Sequence, residues 1–177
     1  VAGPSMTSSS RARRIRRMAS SRVGAWTMIE VRLAQASDLD WICELERANF
    51  SLPWTREQLG RQLSCDGHCL FAAELDGVPA GYMGLDWVLD EGYVTNVCTA
   101  PAFRRRGVAG ALIDAVASRA GELGLAFVSL EVRASNAAAR ALYASKGFEI
   151  DGTRPGYYEK PREDAVIMTL YLKEVQL

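Results

Sequence analysis

The chain has a single histidine, His68, among its 177 residues. A serine or cysteine hydrolase triad would have to be built around it, and no Gly-x-Ser-x-Gly elbow accompanies it, so that chemistry is disfavoured. Cysteine is also scarce. Cys43, Cys65, Cys69 and Cys98 show no Cys-x-x-Cys pairing, which argues against a disulfide framework and reads as reduced thiols of a cytoplasmic protein. Cys65, His68 and Cys69 lie close in sequence, but no fourth ligand accompanies them and no metal is expected. Neither the dinucleotide pattern Gly-x-Gly-x-x-Gly nor a Gly-Lys-Ser/Thr phosphate loop is present, which disfavours a nucleoside triphosphatase. No apolar run approaches the ~20 residues that span a bilayer, so a membrane partner is not expected.

Acidic residues are missing from residues 1–27, a serine-rich stretch that holds Arg11, Arg13, Arg14, Arg16, Arg17 and Arg22. This segment is expected to be a disordered basic extension, able to bind nucleic acid weakly at most. Met28 directly precedes the first expected strand, so residues 1–27 also read as a translated extension or an overcalled start. Removing these six arginines from the 21 basic residues leaves 15 against 21 acidic ones, a formal charge of minus six. The neutral total therefore conceals an acidic body suited to a basic partner. The full chain has 49% hydrophobic residues, and residues 28–177 are expected to form one soluble domain with an adequate core.

Periodicity and turn residues predict strand 29–33, helices near 37–49 and 55–64, and strands near 69–75, 78–88 and 91–99. Helix 106–123, strand 126–132, helix 136–145 and strands near 148–154 and 164–172 follow. This order implies an α+β fold, a mixed central sheet flanked by helices. The sheet is expected to be antiparallel at first, with one parallel pair formed across helix 106–123.

Two stretches carry chemistry. In Leu130–Phe148, Glu131 stands between Leu130 and Val132 in an apolar strand, either on a solvent face or as a carboxylate held in a site. Ser135 or Asn136 caps the following helix, and Gly147 suits its C-terminal turn. Asn136, Arg140 and Tyr143 recur at offsets of four and seven and share one face, while Leu142 points elsewhere with Phe148 nearby. In Asn96–Ala109, Pro101 stops a strand and Arg104, Arg105 and Arg106 run into Gly107, after which a helix begins. A glycine turn that opens a helix offers free backbone N–H groups and the positive end of the dipole to an anion such as phosphate.

The turn Arg104-x-x-Gly107-x-Ala109, with Ser135-Asn136, Ala141-Leu142-Tyr143 and Gly147-Phe148, resembles the acetyl-CoA site of the GCN5-related N-acetyltransferases (GNAT). The match covers nearly everything after Met28. The run from Glu131 to Ala139, with Phe50, Pro53-Trp54 and Arg162-Glu163-Asp164-Ala165, is similar to the RimI branch, which acetylates the N-terminal alanine of the eighteenth protein of the small ribosomal subunit. The resemblance implies a splayed parallel strand pair that leaves a cleft at Val97–Thr99 and Glu131. It implies that acetyl-CoA is the cosubstrate, held by Val97, Cys98 and Thr99 along its pantetheine arm and by Arg104, Arg105, Arg106, Gly107, Val108, Ala109 and Gly110 at its pyrophosphate, with Asn136 assisting. Arg104 stands where that branch commonly has glutamine, and Gly110 where it has arginine.

The resemblance further implies direct attack of an amine on the thioester, with Glu131 taking its proton, through water, and Tyr143 protonating the thiolate. Pro53, Trp54, Tyr157 and Tyr158 would flank a basic protein N-terminus. An α-amine, with a pKa of about 7.7–8.0, is roughly a tenth neutral at pH 7, whereas a lysine is neutral only about once in 2,500 molecules, so an N-terminus asks less of its base. A polyamine or aminoglycoside acetyltransferase would share every cofactor motif, and a non-catalytic acyl-CoA-binding subunit would share most of them.

Overall fold

A computed structural model describes residues 15–20, 26–63 and 66–172. It contains eight strands, β1 (Ile15–Ser20), β2 (Trp26–Leu33), β3 (His68–Leu75), β4 (Val78–Val88), β5 (Glu91–Thr99), β6 (Phe127–Arg133), β7 (Glu149–Glu159) and β8 (Arg162–Tyr171). The α-helices are α1 (Leu39–Asn49), α2 (Arg56–Arg61), α3 (Val108–Glu122) and α4 (Ala137–Ser145). The strands form one sheet in the order β1-β2-β3-β4-β5-β6-β8-β7. Every neighbouring pair is antiparallel except β5 and β6. The mixed α+β architecture expected from the sequence is therefore present, and most element boundaries differ from expectation by a few residues.

One expectation needs correction. Ile15–Ser20 lies within the stretch taken as disordered, yet it forms a strand in register with β2, from Ile15 opposite Val31 to Ser20 opposite Trp26. Ile15 packs against the main core and Arg16 lies 3.7 Å from Glu30. Averaging composition over the arginine-rich stretch conceals a six-residue segment that can pair with an otherwise open strand edge. The other residues of 1–27, apart from Trp26 and Thr27, lie outside the described residues, as does Cys65.

Two apolar clusters cover opposite faces of the sheet. The larger unites α3, with Val108, Leu112 and Val116, to Ile29, Met83, Leu85, Val128, Leu130 and Val132, and includes Tyr143 and Phe148. The smaller sets Leu39, Ile42 and Cys43 of α1 and Leu59 of α2 against Leu70, Tyr82 and Cys98. On β6 the two faces alternate strictly, with Val128, Leu130 and Val132 buried and Phe127, Ser129, Glu131 and Arg133 less so. The start of α1 is fixed by a buried ion pair: Arg32 donates two hydrogen bonds to Asp38, of 2.6 and 2.9 Å, and a third of 2.7 Å to Glu74.

Two features shape the middle of the sheet. Parallel pairing of β5 with β6 covers only Glu91–Phe127, Gly92–Val128 and Tyr93–Ser129, after which the strands part. The register of β5 on β4 shifts between Met83 and Leu85, opposite Thr95 and Asn96. Gly84 makes this bulge possible, because a Cβ there would lie only 2.3 Å from the Thr95 hydroxyl oxygen. Gly81 allows a second close approach, its missing Cβ falling 2.7 Å from the Cys98 carbonyl oxygen.

Candidate active site

The gap between β5 and β6 is the candidate site. Beyond Tyr93 and Ser129, the edge of β5 that carries Val97, Cys98 and Thr99 no longer pairs with β6, so its backbone groups can serve an extended ligand. The Cys98 side chain does not face that ligand: it is buried under α1, and burial pushes its thiol up to about 11. At neutral pH it is a protonated thiol and a poor nucleophile, so no covalent cysteine intermediate is expected there.

At the open end of the gap the chain turns into α3. Arg105 adopts the left-handed conformation, with φ of 60°, and Gly107 stands at the N-cap with φ of 90°. No side chain caps this helix, so the first-turn N–H groups of Val108, Ala109 and Gly110 point outward without an intrahelical partner. That turn fits a pyrophosphate group. Arg105 is exposed beside it, and Arg106 lies 5.7 Å from the Phe103 ring. Arg104 is used differently, donating from Nε to the Thr99 carbonyl at 3.3 Å and from Nη2 to Asn49 at 2.8 Å, which ties the end of β5 to α1. Room at Gly110 is taken by Lys146, whose Cε would lie 3.4 Å from a Cβ at that position and whose Nζ pairs with Asp114.

Glu131 and Tyr143 belong to opposite faces of the sheet. Glu131 lies on the face away from α3, its carboxylate 3.4 Å from Arg154 of β7. Tyr143 lies on the α3 face, buried, with its ring 5.6 Å from that of Phe148. Leu142 is half-buried against the same cluster that holds Tyr143 and Phe148. Burial, with a smaller contribution from Tyr158, raises the Tyr143 hydroxyl to about 12. The shared polar face expected on α4 is turned largely to local work: Asn136 accepts from the Ala139 N–H at 3.2 Å, and Arg140 donates to the Ala134 carbonyl at 3.0 Å.

The residues expected to meet an acceptor lie on the Glu131 side. Tyr158 donates to the Glu131 carbonyl at 3.3 Å, stacks beneath Arg133 at 4.1 Å and meets Tyr157 edge-on at 5.1 Å. Tyr157 and Pro53 are exposed, whereas Trp54 packs partly against the smaller cluster. Sequence reasoning missed Glu46. This carboxylate is fully buried and accepts from the Tyr82 hydroxyl, from Asn96 at 2.9 Å and from the Trp54 N–H at 2.8 Å. It therefore joins the Trp54 segment to the bulge of β5. Burial raises its pKa, opposed by the bonds from Trp54 and Asn96. Its signal was in the sequence, since Leu39, Ile42, Cys43 and Glu46 share the apolar stripe of α1.

Comparison with known proteins agrees with this geometry. Residues 39–148 match the model of the acetyltransferase (GNAT) family. The chain is 35% identical over 148 residues to the [ribosomal protein bS18]-alanine N-acetyltransferase of Haemophilus ducreyi, covering 82% of this chain and 100% of that one. It is 33% identical over 138 residues to the Escherichia coli K12 enzyme of the same name, covering 77% and 93%. The crystal structure of the Escherichia coli ribosomal-protein-S18-alanine N-acetyltransferase superposes with a TM-score of 0.74 at 31% identity, covering 85% of this chain and 99% of that one. The splayed strands, the uncapped glycine turn and these relatives lead to one assignment: the chain belongs to the acetyltransferase (GNAT) family of N-acyl-transferring enzymes.

Proposed function

We propose that this chain transfers the acetyl group of acetyl-CoA to the α-amine of an N-terminal alanine, with ribosomal protein bS18 as the acceptor. The observation that carries this reading is the parting of β5 and β6 beyond Tyr93 and Ser129, with Glu131 next in turn after Ser129 on the same face of β6. The names of relatives at 33–35% identity support the acceptor.

In this reading the freed edge at Val97–Thr99 holds the pantetheine arm, and the N–H groups from Arg105 to Gly110 hold the pyrophosphate. Asn136 sits at the mouth, and Arg104 acts by fixing Thr99. Pro53, Trp54, Tyr157 and Tyr158 border the acceptor peptide. Glu131 takes the amine proton, through water, as the nitrogen attacks the thioester carbonyl, and the C–S bond then breaks toward Tyr143. The Tyr143 hydroxyl, pushed up to about 12 by burial, stays protonated at neutral pH and is available as a donor to the departing sulfur. Tyr143 therefore serves by hydrogen bonding to the departing sulfur, and the thiolate takes its proton from solvent.

The test compares an Ala-initiated ribosomal peptide, the same peptide with a blocked N-terminus and a retained lysine, and spermidine. Acetylation of the first alone is expected. Acetylation that persists on the blocked peptide, or appears only on spermidine, overturns the acceptor while leaving the family unchanged.

A further inference from the structure

The helices α1 and α2 cover only part of their face of the sheet. Alongside them, over the lower halves of β5, β6 and β8, the same face is open and carries an aromatic row. The Tyr93 and Phe127 rings meet edge-on at 6.3 Å, and Phe127 and Tyr171 are also 6.3 Å apart. Tyr93 is 41% exposed and Tyr171 42% exposed, although both lie on interior strands, on either side of β6. Each hydroxyl donates to an exposed carboxylate, Tyr93 to Glu91 and Tyr171 to Asp151 at 3.0 Å. Below the rings, Ser129 and Thr169 exchange a hydrogen bond of 3.2 Å, and Thr169 also donates to Asp151 at 3.1 Å.

From this arrangement we infer that the row of Tyr93, Phe127 and Tyr171, rimmed by Glu91 and Asp151, docks arginine or lysine side chains four to six residues downstream of the acetylated N-terminus. The inference deepens the acceptor reading and rests on it. Three observations favour this occupant. A guanidinium or ammonium group can sit on a tyrosine face while bonding the carboxylate that already holds the hydroxyl, whereas an apolar partner would cover both carboxylates without a counter-charge. The row is continuous with the candidate site, because Phe127, Ser129 and Glu131 lie on one face of β6. At ~3.3 Å per residue, Phe127 is about 13 Å from Glu131, a span that four residues of extended peptide cover. Finally, the chain apart from residues 1–27 carries a formal charge of minus six, which favours approach of a basic segment. Arg154, paired with Glu131, is the cation on this path, so positive charge in the acceptor is disfavoured beside the amine and favoured beyond it.

The test measures steady-state kinetics with an Ala-initiated hexapeptide bearing arginine at positions five and six, its glutamine counterpart, and an Ala-initiated tripeptide. The unaltered chain should prefer the arginine peptide by about tenfold in kcat/KM, through KM and less so at high salt. The double variant Tyr93→Ser/Tyr171→Ser should reduce that preference to about twofold or less, with the tripeptide and the KM for acetyl-CoA unchanged. The charge-only variant Glu91→Gln/Asp151→Asn, which keeps the rings, should weaken the preference in the same direction and covers the case in which the first variant does not fold. Absence of any preference, or its full retention in the folded variants, overturns the inference. Should none of the peptides be acetylated, the acceptor reading fails separately; anisotropy of a fluorescent arginine hexapeptide then decides, docking being upheld by binding that the variants lose and overturned by no binding or equal binding.

Discussion

At the scale of single residues, the tyrosine at the gap is the most informative. Because burial raises Tyr143 to about 12, it remains protonated throughout the range in which the enzyme can be assayed. A hydrogen-bond donor to sulfur is worth less than a full proton transfer, so Tyr143→Phe is expected to lower kcat by about 10- to 100-fold with little change in the KM for acetyl-CoA. Below pH 10 any alkaline limb in the rate profile should be shared by the parent and the Phe variant. A limb near pH 8 or 9 that disappears with Tyr143 would contradict the buried, neutral hydroxyl. Glu46 offers a second residue-scale prediction. Its raised pKa means that folding favours the protonated carboxyl, so its contribution to stability is greatest below its unfolded value and declines as pH rises through the folded one. Glu46→Gln, which can still accept from Trp54, should therefore gain relative to the parent as pH rises above the usual carboxylate range, whereas Glu46→Ala strands the Trp54 and Asn96 donors and should cost roughly 3 kcal/mol. Thermal melts at rising pH distinguish the two.

At the scale of elements, close contact of β4 with β5 sets the β5 edge that faces the gap. Gly81 and Gly84 lie in β4 where β5 passes nearest, at Cys98 and Thr95 respectively. A methyl group at Gly81 would meet the Cys98 carbonyl, the Thr99 Cα at 3.3 Å and Val108 at 3.2 Å, so the strand end must move. Gly81→Ala should therefore cost about 1–3 kcal/mol and raise the KM for acetyl-CoA more than that for the acceptor. Chemical denaturation and separate titration of the two substrates would show it. The glycines were visible in the sequence as punctuation, but their partners were not, since a bulge depends on which residue of the neighbouring strand stands opposite. The same limit explains Arg104. Its place in the turn before α3 suggested a phosphate ligand, but only the approach of α1 to the end of β5 shows its contacts to Asn49 and Thr99.

Across the whole molecule, the order of elements was legible because apolar spacing switches cleanly between strand and helix periods and because proline and glycine mark the ends. The parallel pair was legible for the same reason, since a helix of α3's length between two strands requires a crossover. What escaped was tertiary. Ile15–Ser20 shows no pattern stronger than its arginine-rich surroundings and takes its form from the edge of β2. Arg154 lies in no motif that points to Glu131, yet the fold brings it there from β7, two strands away. The acidic start of α1 belongs to the same class: Asp38 is held below the usual carboxylate range, against the desolvation of its own burial, by Arg32, the Gln35 N–H and Trp41. Its support is present above the unfolded pKa and is lost as pH falls through the folded value. Acid unfolding of Asp38→Asn, followed by circular dichroism, should accordingly show a shallower pH slope below pH 4 than the parent, from a lower starting stability.

The three residue pairs that join β5 to β6 also divide the molecule mechanically. Five strands lie on one side of that seam and three on the other, so the sheet behaves as two plates hinged along a short line, with the crossover helix as the second tie. A ligand seated in the opening supplies the rungs that the ladder lacks there, and locks the plates. Amide hydrogens of β5 and β6 beyond the hinge should then exchange with solvent quickly in the free chain and slowly once acetyl-CoA is added, while those at the β3–β4 ladder remain indifferent to it.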